Sequence, residues 1–148
     1  MKFIIEAVCL SDKRGEQKHE VDEILLIKDF GIESDAHAGK WHRQVSFLAG
    51  EEIDRMKAKG LTLKPGAFGE NIVTRGIDWT KVPVGGKIRI GDAELEVTQI
   101  GKECKTPCAI YYAAGECIMP TKGIFARVMK GGKVRAQHHG HYRVRPGV

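Results

Sequence analysis

Lys87-Ile88-Arg89-Ile90-Gly91-Asp92-Ala93-Glu94-Leu95-Glu96-Val97-Thr98 alternates apolar and polar residues on both sides of Gly91-Asp92. A period of two marks a strand with one buried face, and a two-residue turn of this chemistry joins two such strands into a hairpin. Ile88, Ile90, Ala93, Leu95 and Val97 are then the core face. The same rule reads Lys2–Leu10 as a strand whose core row is Phe3, Ile5, Ala7 and Cys9. Ser11–His19 is a polar hairpin loop holding Gly15, and Val21–Ile27 returns as the next strand. Arg43–Leu48 and Ile72–Thr74 add short strands, and Tyr142–Arg145 is a candidate closing strand.

Helices are fewer. Glu51–Lys59 has Ile53, Met56 and Leu48 on one face, acids in its first turn, lysines in its last and Gly60 as a C-terminal cap. Pro107–Ala114 and Gly123–Lys130 read as two more short helices, the second stopped by Gly131-Gly132. At least six short strands with two or three short helices predict a mainly β domain. Closure into a barrel removes the exposed edges so many strands would otherwise leave. The 148 residues show no repeat or linker, so a single domain over 1–148 is expected.

No apolar run approaches the ~18 residues that cross a bilayer, and the first residues do not form a signal peptide. A cytoplasmic setting is therefore expected, where four cysteines are thiols or metal ligands rather than a disulfide frame. The chain carries 24 Lys and Arg against 19 Asp and Glu, net +5. No acid follows Glu116, whereas Lys122, Arg127, Lys130, Lys133, Arg135, Arg143 and Arg145 do, beside His138, His139 and His141. That stretch reads either as an anion-facing surface or as a solvated one. Interleaved aromatics are too few to suggest nucleic acid.

Three cysteines are spaced Cys104-x3-Cys108-x8-Cys117. Structural zinc wants a second short pair, which is missing, and no four-thiolate iron–sulfur spacing exists. The preferred reading is one reactive thiol, Cys104, between Lys102 and Lys105 at the end of a strand. Neighbouring cations lower a thiol pKa from ~8.5, and the thiolate is both nucleophile and soft-metal ligand. Glu103 opposes that shift, and the bland alternative is a small buried hydrophobe. Cys9, on an apolar strand face, reads as packing. His37 and His42 flank a glycine loop with Asp35 and Arg43, where Asp35 and Ser34 equally suit turn-holding bonds to the backbone. His138-His139-x-His141 admits either a metal tract or a solvated loop. The loop Gly66–Asn71 lets backbone approach a ligand closely but matches no phosphate-binding motif.

Taken together, Gly31-Ile32-Glu33-Ser34-Asp35-Ala36-His37-Ala38-Gly39, His42-Arg43-Gln44-Val45-Ser46, Gly66-Ala67-Phe68-Gly69-Glu70-Asn71-Ile72, Ile90–Gln99, Cys104 and Gly123–Val128 with Gly131-Gly132 resemble the MOSC domain, named for the C-terminal domain of molybdenum cofactor sulfurases. The resemblance implies a MOSC-type β-barrel, here as a stand-alone member, with a pocket around one cysteine that matches Cys104. It implies a thiol that carries sulfur as a persulfide or ligates molybdenum, so Cys104 is both the catalytic and the metal residue. The family's polar pocket carries over to Asp35, His37, Arg43, Glu70 and Asn71, and Arg127 joins them with Lys130 as donors to an anionic, phosphate-bearing pterin. The implied cofactor is molybdopterin-bound molybdenum, resident or transient; pyridoxal phosphate enters by family association only. Implied partners are the anionic pterin and molybdenum-cofactor biosynthesis proteins, with no membrane. The competing readings are a non-catalytic cofactor carrier and a molybdenum-dependent reductase of N-hydroxylated compounds. Ser34 stands where glycine is commoner in the family, costing roughly 1 kcal/mol if its backbone is left-handed. Lys102-Glu103-Cys104 replaces the commoner Arg-x-Pro-Cys form.

Overall fold

The computed structural model describes residues 1–101, 118 and 122–143. Its strands are β1 (Lys2–Leu10), β2 (His19–Val21), β3 (Ile24–Ile27), β4 (Gly31–Ile32), β5 (Val45–Ala49), β6 (Ile72–Arg75), β7 (Lys87–Ile90), β8 (Ala93–Ile100), β9 (Ile124–Lys130), β10 (Gly132–Val134) and β11 (His139–Tyr142). A helix, α1 (Gly50–Lys57), and a short 3₁₀ turn at Trp79–Lys81 complete the described elements.

The main sheet runs β11-β7-β8-β9-β5-β6-β1-β2, and β11 also pairs with β1, closing seven strands into a barrel. The closing strand expected at Tyr142 begins earlier, at His139, where Lys2 faces His141 and Ile4 faces His139. Gly140 lies against the Phe3 ring so closely that a Cβ there would come within 2.1 Å of it. The β7–β8 hairpin has the expected register, Ile90 opposite Ala93 and Ile88 opposite Leu95, with its whole apolar row buried. The β5–β6 pair is parallel, and α1 lies in the crossover such pairing requires.

Two apolar clusters result. Phe3, Ile5, Val8, Phe47, Ile88, Leu95, Val97 and Val128 fill the barrel. Outside it, α1 lays Ile53 and Met56 against Ala7, Cys9, Leu48, Val73 and Phe125. The single core row expected for β1 is therefore split. A register shift between Ile5 and Ala7 puts Val8 inside and turns Ala7 and Cys9 towards the helix.

Other expectations are corrected. Gly123–Lys130 is not a helix: β9 pairs with both β5 and β8 and buries apolar side chains on both faces, which erases its period of two. Val21–Ile27 is not one strand. Val21 ends β2 at the edge of the main sheet, and β3 joins β4 and β10 in a separate three-stranded sheet. That sheet also gives strand pairing to Gly31–Ile32 and to Gly132–Val134, the second starting at a glycine read above as a helix stop. The expected helix Pro107–Ala114 lies outside the described residues.

Candidate functional site

Three loops meet at one end of the barrel: the β1–β2 hairpin loop, the stretch from Ser34 to Arg43, and the loop from Lys64 to Asn71. Ser34 has φ +68°, the left-handed backbone at which its departure from glycine carries a cost. Just beyond it, Asp35 is buried. Its Oδ1 accepts from the Ser11 N–H at 3.1 Å and from Lys18 Nζ at 2.8 Å, and its Oδ2 accepts from the His37 N–H at 3.1 Å. Both side chains of the Lys18–Asp35 pair have no solvent exposure. The turn-holding role weighed for Asp35 is thus present, strengthened by an unexpected cation. Lys18 Nζ also donates to Ser11 Oγ at 3.3 Å and stands 2.9 Å from His37 Nδ1. An ammonium has only protons to offer, so Nδ1 is the acceptor and the ring proton sits on Nε2.

The His37 ring lies parallel to the Trp41 indole, centroids 6.4 Å apart, and Trp41 Nε1 donates to the His37 carbonyl at 2.7 Å. Two guanidinium groups approach the indole, Arg43 at 4.7 Å and Arg14 at 5.1 Å. Arg43 also lies 5.8 Å from the Phe125 ring, and its Nε is buried with no acceptor among the described residues. Such contacts to ring faces hold a cation without neutralising it.

This cluster is fastened to the end of β8. His42 Nε2 lies 2.8 Å from Gln99 Oε1, and the Thr98 hydroxyl donates to the His42 carbonyl. Gln99 Nε2 reaches the Gly101 carbonyl at 2.8 Å, and the Gly101 N–H donates to the Gly123 carbonyl at 2.6 Å. The segment between β8 and β9 therefore leaves and returns at one point, beside His42 and Arg43. Cys104, Cys108 and Cys117 lie outside the described residues. Three residues beyond Gly101 is a tether of about 11 Å at full extension.

Glu70 and Asn71 have no solvent exposure. Glu70 accepts from the N–H groups of Gly66 at 2.9 Å and Phe68 at 3.0 Å. Burial raises its carboxyl above the ordinary value despite these bonds and the charge of Lys18. Gly66 has φ +92° and sits 2.2 Å, measured from an added Cβ, from the Lys18 carbonyl. Asn71 Oδ1 accepts from the Ser46 N–H and hydroxyl at 3.0 and 3.2 Å, and its Nδ2 donates to the Cys9 carbonyl at 3.1 Å. Glu70 thus closes the third loop on itself, and Asn71 ties it to β1 and β5.

Arg127 alternates with Ala126 and Val128, so it shares the outer face of β9 with Phe125. Its Nη2 pairs with Glu96 at 3.3 Å. Lys130 is not brought to this end: five residues past Phe125, about 16 Å along the strand, it lines a separate hollow with Arg89 and His139. Cys9 is fully buried and burial pushes its thiol far up, as a packing residue requires. Among the described residues, no three His, Cys, Asp or Glu side chains converge on a metal-sized point, and no helix is long and apolar enough to cross a membrane.

The sequence reading missed Lys18, Arg14 and Trp41. Lys18 carries no motif and is an ordinary loop lysine until the fold buries it. Trp41 had a signal, an aromatic between a histidine and His42-Arg43, which was not used.

Residues 34–145 match the model of the MOSC domain. No curated protein matches the sequence. Among solved structures, the YUAD protein from Bacillus subtilis is similar at 20% identity and TM-score 0.79, covering 95% of this chain and 94% of that one. YiiM from Escherichia coli is similar at 23% identity and TM-score 0.70, covering 98% and 71%. YiiM from Geobacillus stearothermophilus gives 17% identity and TM-score 0.71, covering 98% and 77%. At these identities the likeness speaks for the fold.

Proposed function

The chain belongs to the MOSC domain family, and from that premise we propose that it is a molybdenum-cofactor-linked protein in which Cys104 carries sulfur beside a cationic seat for an anionic pterin. The observation that carries this reading is the fastening of the Arg43–Trp41 cluster to Thr98 and Gln99, at the point from which the chain runs on to Cys104. The described residues fit the anionic end of such a group. The Arg43 Nε has no acceptor among the described residues, Arg14 lies at the same indole, and an oxyanion accepts from guanidinium donors with charge assistance. When bound, the molybdenum centre supplies two-electron oxo-transfer chemistry.

The roles of this chain's residues follow. Arg43 and Arg14 bind phosphate oxygens, and Trp41 offers a flat face to the pterin. His37, its Nδ1 held by Lys18, lies parallel to that indole. Asp35, Glu70 and Asn71 keep the three loops in place, and Arg127 adds charge on the Phe125 face. Cys104, as thiolate, attacks the outer sulfur of a persulfide donor. Its new S–S bond forms as the donor's breaks, and the donor leaves as thiolate, so that one sulfur atom moves with no net oxidation.

The test pairs two variants. After incubation with a small-molecule persulfide, the Cys104 peptide gains the mass of one sulfur atom in wild type and in Arg43→Met, and Cys104→Ser gains none. Arg43→Met weakens molybdopterin binding at least tenfold. Loading unchanged in Cys104→Ser overturns the sulfur-carrying role. Absence of loading in wild type, with molybdopterin binding intact in Cys104→Ser and weakened in Arg43→Met, leaves the chain a carrier.

A further inference from the structure

Across the outer face of the barrel, away from the site above, five strands align one residue each. Lys2 faces His141, His141 faces Arg89, Arg89 faces Glu94, and Glu94 faces Lys130. Two hollows of about 550 and 300 Å³ lie along this row and share Arg89, Glu94 and His141. The first also contains Met1, Met129 and Arg143, so its floor is partly apolar.

The neighbouring row behaves differently. There Glu96 stands between Lys87 and Arg127 and pairs with both, at 3.2 and 3.3 Å. In the row of Arg89, Glu94 and Lys130 the same charge pattern repeats, yet no ion pair forms among the described residues. Arg143 is likewise unpaired among them. At His141 the field is positive: desolvation foremost, then the cations Arg89 and Lys2, hold its imidazole below its ordinary value, while Asp92 joins Glu94 as a second acid in the smaller hollow. The cations Lys130 and Arg143 of the acid-free C-terminal stretch lie here beside His139 and His141, joined by Arg89 from β7.

We propose that this trough docks an acidic segment of a partner protein, extended across the strands, with carboxylates opposite Arg89 and Lys130. Glu94 between them selects the ligand. A continuous polyanion would place charge against it, so nucleic acid and polyphosphate are disfavoured. Among the described residues no exposed Phe, Tyr or Trp lines the trough to stack a base, Tyr142 being buried, which points the same way. Arg89 and Lys130 stand two inter-strand steps apart, about 10 Å, which one three-residue turn of a polyproline-II segment also spans with its first and fourth residues on the same face. The partner therefore carries acids three positions apart, with uncharged residues between them. Met1 and Met129 receive its apolar side chains.

The test uses the full chain and two labelled nonapeptides of identical composition, one with Glu at every third position and one with its Glu residues consecutive, followed by fluorescence anisotropy. The spaced peptide is expected to bind at least about fivefold tighter, and Arg89→Glu or Lys130→Glu to weaken it about tenfold. In nitrogen-15 spectra its resonance shifts map to Arg89, Glu94, Lys130 and His141, with undisturbed dispersion reporting that the variants fold. Tighter binding of the clustered peptide, of pyrophosphate or of an oligouridylate overturns the proposal. So do shifts centred on Trp41, or charge reversals without effect. Because no readout involves Cys104 or Arg43, failure here and failure of the sulfur-carrying reading are distinguishable.

Discussion

Replacing Lys18 by Met removes the cation from an ion pair with no solvent exposure on either side chain while keeping most of the aliphatic volume. Asp35 then keeps two N–H donors, from Ser11 and His37 at 3.1 Å each, and loses the ammonium at 2.8 Å. Stripping one partner from a buried pair costs about 3–5 kcal/mol, because the remaining charge is uncompensated. Against a total stability of ~5–15 kcal/mol that is a large fraction. With a urea dependence of about 2 kcal/mol per molar for a chain of this size, the unfolding midpoint falls by about 2 M. The double variant Lys18→Met/Asp35→Asn, which removes both charges, costs less than the two single changes summed, by ~1 kcal/mol or more. Urea unfolding followed by circular dichroism reads all four proteins. A midpoint shift below about 0.5 M, or additive costs, refutes the claim that this pair anchors the loop carrying His37 and Trp41.

Further expectations follow from the same geometry. Gly66→Ala forces a Cβ to 2.2 Å from the Lys18 carbonyl at φ +92°, and thermal unfolding registers a loss of about 2 kcal/mol or more. Glu70 has a raised carboxyl pKa in the folded state, so the native state holds its proton longer than the unfolded one. Its contribution to stability is therefore greatest below the ordinary carboxylate pKa and declines as pH climbs through the raised value. Glu70→Gln abolishes that slope in denaturant titrations across pH, yet lowers stability by about 1–3 kcal/mol because an amide donor then faces the Gly66 or Phe68 N–H. Trp41→Ala removes the face on which Arg43 rests, and calorimetry detects molybdopterin affinity reduced about tenfold, comparable to Arg43→Met.

What the sequence discloses depends on how many of a strand's faces are buried. The β7–β8 hairpin buries one, so its alternation reads directly. β9 buries both, Ile124, Ala126 and Val128 inside the barrel and Phe125 beneath α1's cluster, so its run of good helix formers mimics a helix until pairing with β5 and β8 overrides propensity. The split of β1 rests on a one-residue register shift that no local pattern announces. At the site, Asp35, His37 and Arg43 are legible because they share a loop with glycines. Lys18 and Arg14 come from the β1–β2 loop, and only the closed barrel brings them to that place. The basic C-terminal stretch was visible as charge; its division between the Glu96 ion pair and an open trough required the strand register.

The central claim is that Cys104 works as a thiolate under the influence of the Arg43 cluster. Alkylation rates of the folded protein, resolved to individual cysteines by peptide mapping from mildly acidic to mildly alkaline pH, test it most directly. One fast site is expected, Cys104, titrating below the free-thiol value of ~8.5 and moving back towards it in Arg43→Met, while Cys9 stays unlabelled in its buried position. Equal labelling of Cys104, Cys108 and Cys117, or a Cys104 titration at or above the free value, contradicts it.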